Sequence, residues 1–164
     1  MKNELISQYH ASLKMLSNAI DRCPDQLWGD TNYQNSFRRI AYHTLHYTAL
    51  YLAENEAHFS PWRYHVPLFH RLGEPLSAQI AEEDIPGYTK ENLLAYTSAI
   101  RNTVAEKIRG FELTCQSGFD WLPMNNLELL LYNLRHLQHH TGQLVERLHQ
   151  NGITGIAWID SEEK

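Results

Sequence analysis

Near the C-terminal end, the run Arg135-His136-Leu137-Gln138-His139-His140-Thr141-Gly142-Gln143-Leu144 sets three imidazoles into five positions of an otherwise leucine-patterned segment. At about 100° per helical residue, His136 and His140 stand about 40° apart on successive turns, while His139 lies about 100° from His140. The first pair can share one ligand; the third ring cannot join it. This i,i+4 spacing is the one by which HExxH helices hold zinc. Leu137 stands where the glutamate of that motif would be, which removes the metalloprotease reading. A third ligand has to come from elsewhere, and Ile40-Ala41-Tyr42-His43-Thr44-Leu45-His46-Tyr47 offers two candidates. His43 shares a helical row with Ile40, Tyr47, Leu50 and Tyr51, and His46 lies about 60° away from it. His43 is the preferred third ligand, with His46 the alternative. Three neutral imidazoles plus a water make the open site that zinc uses in catalysis, and the same donors suit nickel, iron or copper.

Each of these residues also has a plain structural reading. An i,i+4 pair arises by chance in a chain with 10 histidines. His10, His58, His65, His70 and His149 have nothing in their spacing to separate them from ordinary packed or solvated histidines. Tyr47, Tyr51, Trp28 and Trp62 could wall a pocket, although aromatics at helical spacing are more often core. Glu54 and Glu146 read as solvated helix carboxylates. No Ser/His/Asp arrangement and no phosphate-cradling glycine loop stands out, so the sequence assigns neither a catalytic residue nor an organic-cofactor site.

The elements that must position these rings are helices. Leu5, Tyr9, Leu13, Leu16 and Ile20 recur three and four apart and predict a first helix over Asn3 to Arg22, stopped by Cys23-Pro24-Asp25. Ser36 is placed to cap a second helix that runs to about Glu56 and is apolar on most of its circumference. Between His58 and Tyr88 come Pro61, Pro67, Pro75 and Pro86 together with Phe59, Trp62, Tyr64 and Phe69. Such a long connection is usually functional or disordered, and its aromatics favour packing. Thr89 caps a third helix whose face is Leu93, Leu94, Tyr96, Ile100, Val104 and Ile108, ended by Gly110. Asn125 or Asn126 opens a fourth, with Leu127, Leu130, Leu134, Leu137, Leu144, Val145 and Leu148 aligned, closed by Asn151-Gly152. Ile153, Ile156 and Trp158 are expected to lie back on the helices, leaving the acidic end free. The expected fold is all-α, a four-helix bundle with a long crossover between its second and third helices, forming one domain over residues 1–164. Ligand sites in such folds lie between facing helices.

Composition narrows the partners. With 14 Lys+Arg against 19 Asp+Glu the formal charge is -5, and no basic run occurs, so a nucleic-acid partner is not expected. No segment approaches the roughly 20 apolar residues that span a bilayer. MKNELISQYH lacks the apolar stretch of a secretory signal, which points to the cytoplasm and away from membranes. Cys23 and Cys115 have no CxxC spacing and read as reduced thiols. A chain of 164 residues buries a core without help, so a bound metal would serve chemistry and not folding.

SFRRIAYHTLHYTALYL, YTKENLLAY and RHLQHHTGQL, in that order over nearly the whole chain, resemble the DinB/YfiT-like superfamily of metal-binding four-helix bundles. That family is DNA-damage-inducible and distinct from the polymerase that shares the name. The resemblance implies a divalent ion, zinc or nickel first and iron after them, held by His43, His136 and His140, with His139 a neighbouring non-ligand. Many relatives carry Arg where Thr141 stands. The resemblance further implies a homodimer and activities such as transfer of low-molecular-weight thiols (bacillithiol or mycothiol), maleylpyruvate isomerisation or hydrolysis, although most members have none assigned. The expected function is a metal-dependent enzyme that activates a thiol or a water toward a small-molecule substrate. The alternative is a non-catalytic metal-binding stress-response or interaction protein.

Overall fold

In the computed structural model residues 1–74, 85 and 87–161 are described; Pro75, Pro86 and the acidic end beyond Ser161 lie outside them. Helix α1 (Lys2–Arg22) buries Leu5, Tyr9, Leu13, Leu16 and Ile20, the residues its periodicity named. It stops at Cys23, which is extended at φ -65 and ψ 121, because the following proline disfavours helical geometry in the residue before it. Pro24 then starts a single unforeseen turn, α2 (Asp25–Trp28), that buries Leu27.

Helix α3 (Phe37–Leu50) begins as expected, with the Ser36 side chain accepting from the Arg39 backbone N–H at 3.2 Å. It ends at Leu50, well short of Glu56. Leu52 and Ala53 stay buried, which is why the apolar pattern runs on without a helix beneath it. The Ala53 N–H turns back to the Leu50 carbonyl at 2.9 Å. Asn55 then caps a 3-10 turn (Glu56–His58) and forms an isolated parallel bridge with Gly118. A Cβ at Gly118 would sit 2.2 Å from the Glu54 carbonyl oxygen, so the absent side chain is what lets these two segments meet. A tertiary contact has overridden a local pattern here.

Helix α4 (Lys90–Gly110) is capped by Thr89, which accepts from the Asn92 N–H. Helix α5 (Asn126–Gln150) is capped by Asn125, which accepts from the Glu128 N–H, and Gly152 at φ 78 closes its far end. α1 packs against α4 and α5, and α3 packs against the same two helices, so α1 and α3 occupy opposite corners of an all-α bundle. No strand occurs among the described residues.

The described part of the crossover between α3 and α4 is packed. Phe69 and Tyr88 are buried with ring centroids 4.2 Å apart, and Tyr42 of α3 meets Tyr88 edge-on at 4.7 Å. Trp62 stacks on Tyr96 of α4 at 5.0 Å. In the tail, Ile153 and Ile156 rest on the core, but Trp158 is 72% exposed, contrary to expectation. The tail is held through its carbonyls, by Arg22 on Thr154 and Gln8 on Asp160. Those bonds fix the path of the main chain and leave the indole outside.

Candidate metal centre

Helices α3 and α5 face each other, and Asn133 fixes their register by donating its side-chain amide to the Thr48 carbonyl at 3.1 Å while fully buried. One turn further along α5 come His136 and His140. The structure brings His43, His136 and His140 together: His43 Nε2 lies 2.9 Å from His136 Nε2 and 3.0 Å from His140 Nε2. His139 is exposed and stands outside the group. No Asp or Glu of the described residues joins it, and Glu54 and Glu146 are exposed.

The protons on these rings can be placed by their other contacts. His43 Nδ1 is 2.6 Å from the His70 carbonyl oxygen, which only accepts, so Nδ1 carries the hydrogen. His140 Nδ1 is likewise 2.6 Å from Gln143 Oε1 and donates to it. A neutral imidazole that has given its proton to Nδ1 has a bare lone pair at Nε2. His43 Nε2 and His140 Nε2 therefore face each other at 3.0 Å with no hydrogen between them. A proton on His136 Nε2 could satisfy one of them and not both, and His136 Nδ1 is itself buried without a partner. Converging lone pairs of this kind fit a cation. On a tetrahedral ion with bonds near 2.0–2.1 Å, ligand nitrogens stand about 3.4 Å apart, so the rings need to spread by only about 0.4 Å.

Burial keeps the rings neutral. It pushes His43 down to about 4, opposed by the His70 carbonyl and reinforced by His140. His136 falls to about 3, from burial first and then the neighbouring His43 and His140. His140 is also lowered by burial, with Gln143 working against the shift. At pH 7 all three are in the form that binds metal.

The loop that carries the His70 carbonyl is clamped by Arg39 on either side of it. That guanidinium is buried and donates to the carbonyls of Phe69 at 3.3 Å, Arg71 at 2.5 Å and Glu74 at 2.7 Å. Within the clamped loop Leu68 takes a left-handed φ of 70, a costly conformation for a branched residue that persists where surroundings dictate it. Thr141, where many relatives are expected to have Arg, is fully buried and back-bonds to the Leu137 carbonyl at 2.8 Å. It offers nothing to the trio.

On the far side of Tyr47 from the trio opens a cleft of about 660 Å³ lined by His46, Tyr47, Tyr51, Phe59, His70, Arg71 and Trp121, among others, with none of the three histidines on its wall. Tyr47 stands between cleft and trio, its ring 4.8 Å from His43 and 5.6 Å from His136. Burial raises the Tyr47 pKa, so it stands there as a neutral phenol. Of the four aromatics considered as pocket walls, Tyr47 and Tyr51 line the cleft. Trp28 donates its indole N–H to the Tyr88 carbonyl at 2.9 Å, and Trp62 packs on Tyr96. Another cavity, of about 650 Å³ between Leu52, Glu106 and Phe111, has no histidine on its wall.

His46 does not reach the trio. It belongs to a separate group with His65 and His70, whose ligand atoms lie within 4.8 Å of one another. Spacing could not find this second group, because His65 and His70 sit in the irregular crossover, where no period relates them to α3.

An all-α bundle whose facing helices carry imidazole groups able to hold a divalent ion is the class of protein that fold and site define. The chain belongs to the DinB family, which it matches over residues 2–161. Comparison with curated proteins and with solved structures finds no significant match. No helix among the described residues is long and apolar enough to cross a membrane.

Proposed function

We propose that the protein is a metal-dependent enzyme in which His43, His136 and His140 hold one divalent ion, zinc or nickel, and present its open face to a low-molecular-weight thiol or a water. The observation that carries this reading is the meeting of two bare Nε2 lone pairs at 3.0 Å. A bound ion would lower the pKa of such a thiol or water and supply an anionic nucleophile at neutral pH. The protein's own groups do the rest. The His70 carbonyl and Gln143 hold two rings with their lone pairs inward. Tyr51, Phe59 and Trp121 give the cleft apolar surface for a small electrophile, and Arg71 places a cation there to meet an anionic substituent. On this reading the protein works in the cytoplasm as a homodimer, and sedimentation velocity checks the dimer.

The test is to load the protein with zinc or nickel and assay a thiol with a panel of electrophiles, and separately a panel of esters and amides. Turnover is expected in one panel, lost in His136→Ala. No turnover above the metal-free protein in any panel refutes the enzymatic reading. A second reading, a non-catalytic metal binder, is favoured by one observation, that among the described residues no carboxylate joins the trio to act as a general base. It requires the metal to raise the melting temperature strongly, since a ligand that binds only the native state stabilises by mass action.

A further inference from the structure

His46, His65 and His70 are not ligands of the site proposed above: His46 and His70 wall the cleft, and His70 also holds His43 through its carbonyl. Their rings are close: His46 and His70 stack at 4.3 Å between centroids, His46 and His65 at 5.2 Å, and His65 and His70 are tilted at 5.2 Å. One nitrogen from each lies within 4.8 Å of the other two. The Tyr42 hydroxyl lies 2.6 Å from His65 Nδ1 and 3.4 Å from His46 Nδ1; with its oxygen accepting from both, each ring keeps a lone pair at Nε2. His70 Nδ1 is buried and has no hydrogen-bond partner. Leaving a buried polar atom unpaired costs about 1–3 kcal/mol, which is a reason to look for a ligand. His46 and His70 both line the cleft of about 660 Å³, so an occupant of this group would be reachable from solvent.

We propose that His46, His65 and His70 form a second divalent-cation site, opening on the cleft that Tyr47 separates from the first, and weaker than it. It is weaker because His46 stacks face to face with His70 and His65, whereas the first group already turns its Nε2 atoms toward one another at 2.9 and 3.0 Å, near the roughly 3.4 Å between donors that a tetrahedral ion requires. Binding an ion splays the stacked rings. His65 and His70 can make that movement, since both stand on the irregular crossover and are only partly buried, whereas His46 is fixed in α3. His70 links the two sites, its carbonyl holding His43 and its imidazole serving the second ion. The proposal goes beyond the reading of the first site and stands or falls separately.

The experiment is a Zn²⁺ titration of the metal-free protein by calorimetry, repeated with Co²⁺ to follow its visible absorption. Two equivalents are expected, the second weaker than the first. His65→Ala and His70→Ala should each reduce the count from two to one and spare the tight equivalent; His70→Ala keeps the carbonyl that holds His43. His65→Gln is the milder replacement if the alanine variant folds poorly. The double variant His136→Ala/His140→Ala should keep only the weak equivalent. A single equivalent in the parent, lost in the double variant and kept in His65→Ala, overturns the second site and leaves the first standing. A single equivalent with the opposite pattern overturns the first and leaves the second. A weak equivalent that survives in both His65→Ala and His70→Ala is an adventitious surface site and overturns this proposal.

Discussion

Replacing Gln143 tests the proton placement on which the first site rests. The side chain accepts from His140 Nδ1 at 2.6 Å and so holds the lone pair at Nε2, toward His43. Gln143→Leu removes the acceptor. Losing an outer partner of a metal-binding histidine costs about 10–100-fold in affinity. Gln143 is exposed, so water takes over part of its role, and the effect belongs at the lower end: about tenfold, or ~1.4 kcal/mol. Gln143→Glu puts a carboxylate on the same proton, makes His140 a stronger donor and should tighten binding by up to about tenfold. The assay is competition for Zn²⁺ against a chromophoric chelator at fixed pH. Melting of the metal-free proteins serves as the control, because a substitution at an exposed position should change stability by no more than about 0.5 kcal/mol. The reasoning is refuted if the leucine variant binds as tightly as the parent, or if both substitutions move the affinity in the same direction.

Arg39→Met keeps the buried stem and removes the donors to Phe69, Arg71 and Glu74. It should cost about 3 kcal/mol and release the loop, read as faster proteolysis between residues 68 and 74 and a roughly tenfold loss of metal affinity once the loop that carries the His70 carbonyl is no longer clamped. Gly118→Ala drives a methyl group against the Glu54 carbonyl and should lower stability by about 1–3 kcal/mol in a denaturant titration, with metal affinity unchanged. Acidification of the metal-free protein should destabilise it. His43 and His70, held near 4 by burial, and His46 and His136, held near 3, stay neutral in the folded state well below the ordinary histidine value of about 6.5. The unfolded chain binds more protons throughout that window. Stability is therefore complete above about pH 6.5 and is lost as pH falls toward 4 and then 3, by up to about 1.4 kcal/mol per pH unit for each of His43, His46 and His136 and by less for His70, which solvent screens. A flat melting temperature between pH 7 and 5 would contradict the burial of these rings.

Much of the architecture could be read from residue types alone. Leu5, Tyr9, Leu13, Leu16 and Ile20 declare α1 because apolar residues three and four apart share one helical face, and that face is buried here. Ser36, Thr89 and Asn125 mark three helix starts because their side chains satisfy N–H groups that no helical carbonyl can reach. The pairing of His136 with His140 is of the same kind, a consequence of helical pitch.

What spacing could not decide was anything set by contact between distant segments. Leu52 and Ala53 look like continued helix, and only the approach of Gly118 to Glu54 shows why the chain turns away. The choice between His43 and His46 was open to the sequence because the two differ by a rotation of about 60° about one helix axis. Which direction faces α5 is a property of the packed bundle. His65 and His70 carried no signal at all, since a loop has no period. His70 stands beside His46 because a buried arginine gathers the carbonyls of the stretch around it, and His65 because its ring meets the Tyr42 hydroxyl at 2.6 Å. Local chemistry thus determined the helices and the pair of imidazoles on one of them. Tertiary packing decided which rings meet, because convergence across elements depends on relative orientation, which no repeat within a single element encodes.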